Sequence, residues 1–87
     1  MSVVIELSYD MSKAIGERRI ELSNPETVRD AVAQVNERFV TDGEDFETLS
    51  KVTSIAINGV LVKYDRGMKT RLQDGDVVAF VKAASGG

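Results

Sequence analysis

Val3, Ile5 and Leu7 alternate with Val4 and Glu6 at the start of the chain. That period of two predicts a half-buried strand. A polar stretch from Ser8 to Gly16 follows, punctuated by Asp10, Ser12 and Gly16, and predicts a turn region. Alternation then returns over residues 18–23, with Ile20 and Leu22 on one face. The two runs predict a β-hairpin with a long turn.

Asn24-Pro25 breaks this alternation, and from Val28 the period changes. Val28, Ala31, Val32, Val35 and Phe39 recur at spacings of three and four, one stripe of a helix. Thr27 followed by Asp30 forms a capping-box-like pattern, with Asp in place of the more usual Glu or Gln. Asn24 is a rival cap, with Pro25 then in the first helical position. The helix is expected over residues 27–39.

Residues 41–51 read as an acidic loop carrying Asp42, Glu44, Asp45 and Glu47. The spacing does not match a calcium loop, so the carboxylates read as a solvated surface. Phe46 and Leu49 are expected to pin this loop to the core edge. A third strand follows over residues 52–58, with Ile55 and Ile57 on one face. Asn58-Gly59 is a turn signal, because both residues tolerate positive φ. Residues 60–63 make a short fourth strand. Residues 64–73 read as a loop anchored by Leu72. Asp74-Gly75-Asp76 is a tight turn, and the last strand runs from Val77 to Val81 or Lys82. The order β-β-α-β-β-β predicts an α+β fold in which one helix covers one face of a mixed sheet.

Composition narrows the function. At 87 residues the chain has room for one domain, and 43% hydrophobic content with one proline argues for a globular fold. It contains neither cysteine nor histidine. Disulfides, thiolate metal sites and Cys nucleophiles are excluded, and so are the usual neutral-pH base and the commonest metal ligand. The net charge of −3 gives no nucleic-acid footprint. No signal peptide or membrane span is apparent, and a cytoplasmic protein with no membrane partner is expected.

Three segments carry a resemblance. They are the helix start Thr27-Val28-Arg29-Asp30-Ala31-Val32, the strand and turn Ala56-Ile57-Asn58-Gly59, and Leu72 to Val81 followed by Ser85-Gly86-Gly87. Together they resemble the ubiquitin-like β-grasp fold, in its sulfur-carrier branch, the MoaD/ThiS family. Within it the chain looks especially like the molybdopterin-synthase small subunit. A β-grasp domain over residues 1–82 and a flexible C-terminal tail over residues 83–87 are the implied organisation. The physics of the tail points the same way. Two glycines without Cβ atoms let a backbone enter a narrow site, and small Ala83, Ala84 and Ser85 lengthen the probe.

What the resemblance implies is a carrier rather than an enzyme. An E1-like adenylating enzyme would activate the Gly87 carboxylate with ATP, aided by the adjacent Gly86. A sulfurtransferase or cysteine desulfurase would supply a persulfide, leaving a C-terminal thiocarboxylate. An acceptor such as the molybdopterin-synthase large subunit would take the sulfur for molybdenum cofactor biosynthesis. No cofactor is expected on the chain itself, and ATP belongs to the activating enzyme. The same activation chemistry also serves a ubiquitin-like modifier joined to target lysines, or a carrier for thiamin or tRNA thiolation.

The expected docking surface is the sheet face that the helix leaves open. Val78 and Phe80 are assigned to the helix side, so Val77, Ala79 and Val81 point outward. Leu61 and Val81 are the candidate apolar anchors, with Ala79, Lys82, Ala83, Ala84 and Ser85 completing the partner-binding set. Lys63, Arg66, Lys69, Arg71 and Lys82 are candidates for steering charge, whereas Arg18-Arg19 reads as plain strand surface. Two departures from the molybdopterin branch are visible. Lys82-Ala83 stands where that branch commonly carries Pro-Pro, and the segment from Tyr64 to Gln73 is long.

Overall fold

The computed structural model describes residues 1–39 and 45–82, with the backbone alone at Lys82. The acidic positions Asp42 and Glu44 and the tail positions Ala83, Ala84, Ser85, Gly86 and Gly87 lie outside the described residues. Among the described residues there are five strands: β1 (Ser2–Glu6), β2 (Arg19–Ser23), β3 (Thr53–Ile57), β4 (Val60–Val62) and β5 (Val77–Lys82). They form one mixed sheet in the order β2-β1-β5-β3-β4. β1 pairs antiparallel with β2 and parallel with β5. β3 pairs antiparallel with both β4 and β5. The last strand therefore lies in the middle of the sheet, between the first strand and the third.

The long helix, α2 (Val28–Arg38), crosses one face. Its start is the capping box expected from the sequence. The Asp30 N–H donates to Thr27 Oγ1 at 3.2 Å, and the Thr27 N–H donates to Asp30 Oδ2 at 3.1 Å. This satisfies two donors at the helix entry and leaves Asn24 outside the helix. Val28, Ala31, Val32 and Val35 are all buried. They meet the inner row of the sheet: Val3, Ile5, Ile20, Leu22, Ile55, Val78 and Phe80. Burying each large aliphatic or aromatic side chain stabilises the fold by about 1.5–3 kcal/mol.

Three segments expected as turn or loop are instead short helices, so the single-helix expectation is corrected. The first, α1 (Tyr9–Ile15), replaces the long hairpin turn. Ser8 caps its start, Gly16 ends it in the left-handed region at φ 89°, and Met11 packs into the core. The second, α3 (Phe46–Ser50), occupies the end of the expected acidic loop. Asp45 caps it by accepting the Thr48 N–H at 2.9 Å. Phe46 does more than pin an edge. It is fully buried and meets Phe80 edge-to-face, with ring centroids 5.5 Å apart. The third, α4 (Tyr64–Lys69), fills the first part of the long 64–73 segment. Gly67 sits within it because the helix lies close on β3 and β4: a Cβ there would approach Val62 Cγ2 to 3.0 Å and Ile55 Cδ1 to 3.1 Å.

The four helices among the described residues each bury side chains on the core side. No helix among the described residues is long and apolar enough to cross a membrane.

Candidate docking face and tail exit

Two turns aim the last strand. Asn58 and Gly59 both have positive φ, 50° and 86°, as a type I′ hairpin between β3 and β4 requires. The Asn58 side chain then reaches across to the turn before β5. Its Nδ2 donates to Asp76 Oδ1 at 3.0 Å, and its Oδ1 accepts the Val77 N–H at 2.9 Å. Asp76 Oδ2 accepts the Gln73 N–H at 2.8 Å, closing the Asp74-Gly75-Asp76 turn on itself. The same turn is tied to β1, because Asp74 Oδ1 accepts the Ser2 N–H at 2.7 Å. The start of β5 is thus fixed from two sides.

Once β5 is placed, the register decides which residues share the open face. Val78 and Phe80 are buried at 0% and 1% exposure, as assigned from the sequence. The alternate positions Val77, Ala79 and Val81 face away from the helices. Ala79 stands opposite Glu6 on β1 and opposite Ala56 on β3, and Ala56 stands opposite Leu61 on β4. One row therefore runs Glu6, Ala79, Ala56, Leu61 across four strands. Its β1 end is charged and its β4 end is apolar. Leu61 is 67% exposed and Val81 is 37% exposed. Both are apolar side chains left on the face that the helices do not cover. Ala56 was not among the expected residues. Its signal is the register alone: the small residue between Ala79 and Leu61 makes the row continuous.

The ThiS family model matches residues 8–87, nearly the whole chain. The chain belongs to the ThiS family.

ThiS-family proteins are small ubiquitin-like sulfur carriers that act with partner enzymes. No curated protein matches this family member significantly. Solved structures do. The small archaeal modifier protein 1 of Methanosarcina acetivorans is similar at 21% identity and a TM-score of 0.72, over 99% of this chain and 96% of that one. Subunit 1 or 2 in the molybdopterin-converting factor complex of Helicobacter pylori is similar at 21% identity and a TM-score of 0.64, with both chains covered completely. The BexX/CysO complex of Amycolatopsis orientalis contains a chain similar at 18% identity and a TM-score of 0.70, over 98% of this chain and 99% of that one. These likenesses establish the ubiquitin-like β-grasp fold of this ThiS-family chain.

Within that fold the structure gathers Leu61, Ala79 and Val81 on one face, with the backbone of Lys82 at its edge. Lys69 lines a groove on the helix side with Arg29 and Lys51, away from the open face. Arg18 and Arg19, read as plain surface, instead line a cleft with Glu6, Ala79 and Val81. Nothing in the sequence order signals that proximity, since it depends on β1 lying between β2 and β5.

Proposed function

We propose that this chain is a sulfur carrier whose Gly87 carboxylate is adenylated by an E1-like enzyme and converted to a thiocarboxylate. The observation that carries the reading is the apolar row Leu61, Ala56 and Ala79, exposed at its Leu61 end and reaching β5, the strand that leads to the Gly-Gly end of a ThiS-family chain. The body over residues 1–82 supplies recognition, and residues 83–87 supply the reacting end. Five residues span at most about 17 Å, enough to carry a carboxylate from a docked face into a neighbouring site.

The chemistry needs little from the chain itself. A carboxylate oxygen of Gly87 attacks the α-phosphorus of ATP, and pyrophosphate leaves. The terminal sulfur of a partner's persulfide then adds to the Gly87 carbonyl carbon and expels AMP. A second thiol cleaves the resulting acyl disulfide and leaves the thiocarboxylate. Sulfur rides on a carbonyl carbon, so a chain without cysteine can carry it. No nucleophile–base pair is required of this protein. ATP is bound by the activating enzyme, and this carrier holds no cofactor of its own.

The favoured role is the small subunit of a molybdopterin synthase in the cytoplasm, with a large subunit as acceptor. Its support is the likeness to the Helicobacter pylori converting-factor complex of subunits 1 and 2. The likeness to small archaeal modifier protein 1 favours a second fate, conjugation to lysines through Gly87.

Incubation with the activating enzyme, ATP and a persulfide donor tests the reading. Intact mass should rise by the difference between sulfur and oxygen, and a chain lacking Gly87 should not change. A mass that stays constant with active partners would overturn it. Higher-mass adducts dependent on Gly87 would select the modifier fate.

A further inference from the structure

The cleft beside the end of β5 has two features that the apolar row does not explain. The first is charge. Arg18 and Arg19 line it together with Glu6, Ser8, Ala79 and Val81. Both arginines are exposed. The Arg19 Nε lies 3.7 Å from the Glu6 carboxylate, and the two side chains remain 64% and 44% exposed. So open a pair can exchange Glu6 for an incoming carboxylate. The chain as a whole carries a net charge of −3, so this cationic spot runs against the overall field.

The second feature is an unfinished edge. β1 ends with Glu6 opposite Ala79. β5 continues to Lys82. Over that last stretch its paired neighbour among the described residues is β3 alone, with Ser54 opposite Val81 and Thr53 opposite Lys82. The other side of the strand faces the cleft and offers main-chain groups to an added strand, a recurring mode of peptide capture. This is the last stretch of backbone before the tail.

We propose that the cleft receives an extended acidic segment of the activating enzyme. Its backbone pairs with the free edge of β5 near Val81, and its carboxylates meet Arg18 and Arg19. The proposal rests on the sulfur-carrier reading and names the chemistry of the first partner. The division of labour is physical. The Leu61 end of the open face gives contact area that salt leaves untouched. The arginine cleft gives steering and register, which salt screens. Holding β5 on both edges fixes the direction in which the tail leaves.

The experiment measures kcat/KM for adenylation, by ATP–pyrophosphate exchange, with the activating enzyme of the source organism at low and high salt. The variants are R18E/R19E, the charge-keeping R18K/R19K, and K51E/K69E, which reverses cations on the helix side. Thermal melting confirms that each folds. The expected result is a loss of about tenfold or more for R18E/R19E at low salt, carried mainly by KM and shrinking as salt rises. R18K/R19K and K51E/K69E stay near wild type. Wild-type kcat/KM in R18E/R19E at low salt overturns the proposal, as does an equal loss in K51E/K69E, which would reflect net charge alone. If Leu61→Glu abolishes adenylation while R18E/R19E does not, the carrier reading survives and the cleft proposal fails. A wild-type chain that its activating enzyme never adenylates ends both.

Discussion

Asn58 and Asp76 come from separate turns and share a hydrogen bond, Nδ2 to Oδ1 at 3.0 Å. The same carboxamide accepts the Val77 N–H at 2.9 Å. The hairpin that presents Leu61 is thereby locked to the turn that launches β5. The apolar anchor and the tail-bearing strand are placed by one side chain.

Replacing Asn58 by alanine removes both bonds and puts a Cβ residue lacking the Asn tolerance at φ 50°. The expected destabilisation is about 1–3 kcal/mol, read from urea unfolding midpoints. Asn58→Gly keeps the backbone freedom and loses only the bonds, so it should fall between alanine and wild type. Equal stability of all three chains would mean the clasp is ornamental.

Thr27 caps the long helix and also sits beside Arg71 in an isolated bridge to the segment before β5. Thr27→Ala should cost about 1 kcal/mol. For a domain of this size that lowers the melting temperature by about 4–8 °C. Thr27→Ser, which restores the hydroxyl, should recover most of the loss.

Leu61 is the converse case. It is 67% exposed and lies outside the buried core cluster. Leu61→Glu should leave unfolding stability within about 0.5 kcal/mol of wild type. Binding to the activating enzyme should weaken by about 1–3 kcal/mol, measured by titration calorimetry. A large stability loss with unchanged binding would place Leu61 in the fold and not at an interface.

The Asp45 carboxyl titrates below the ordinary value of 3.8, held there by hydrogen bonds from the Thr48 backbone and side chain. A depressed folded value means that ionised Asp45 stabilises the native state above pH 3.8 and that this support is lost as pH falls through the folded value. Asp45→Asn keeps a capping oxygen but cannot titrate. Its unfolding midpoint should therefore vary less than wild type as pH falls from 3.8 through that depressed value. Parallel pH profiles for the two proteins would contradict this.

Much of this was legible in the chain, and the exceptions share a cause. The helix at Val28–Arg38 spans three turns, so its apolar stripe repeats and its cap is written in Thr27 and Asp30. The strands alternate over five residues or end at Asn58-Gly59. By contrast, the helix at Tyr9–Ile15 buries Met11 and half-buries Ile15, and a stripe of two residues is too short to show a period. The helix at Tyr64–Lys69 contains Gly67, which reads as a breaker. Its reason, close contact with Val62 and Ile55, exists only after folding. The outward set of Val77, Ala79 and Val81 followed from alternation once Val78 and Phe80 were assigned inward. Ala56 and Arg18-Arg19 did not, because each joins the face only through which strands lie side by side.

Intact-mass measurement of the chain purified from its own cells tests the central claim most directly. The account predicts a population heavier by one sulfur replacing one oxygen, with the change confined to the peptide ending at Gly87 and increased when the acceptor enzyme is absent. A chain that carries only an ordinary carboxylate in cells where its activating enzyme is present, or that appears only as lysine-linked conjugates, would contradict it.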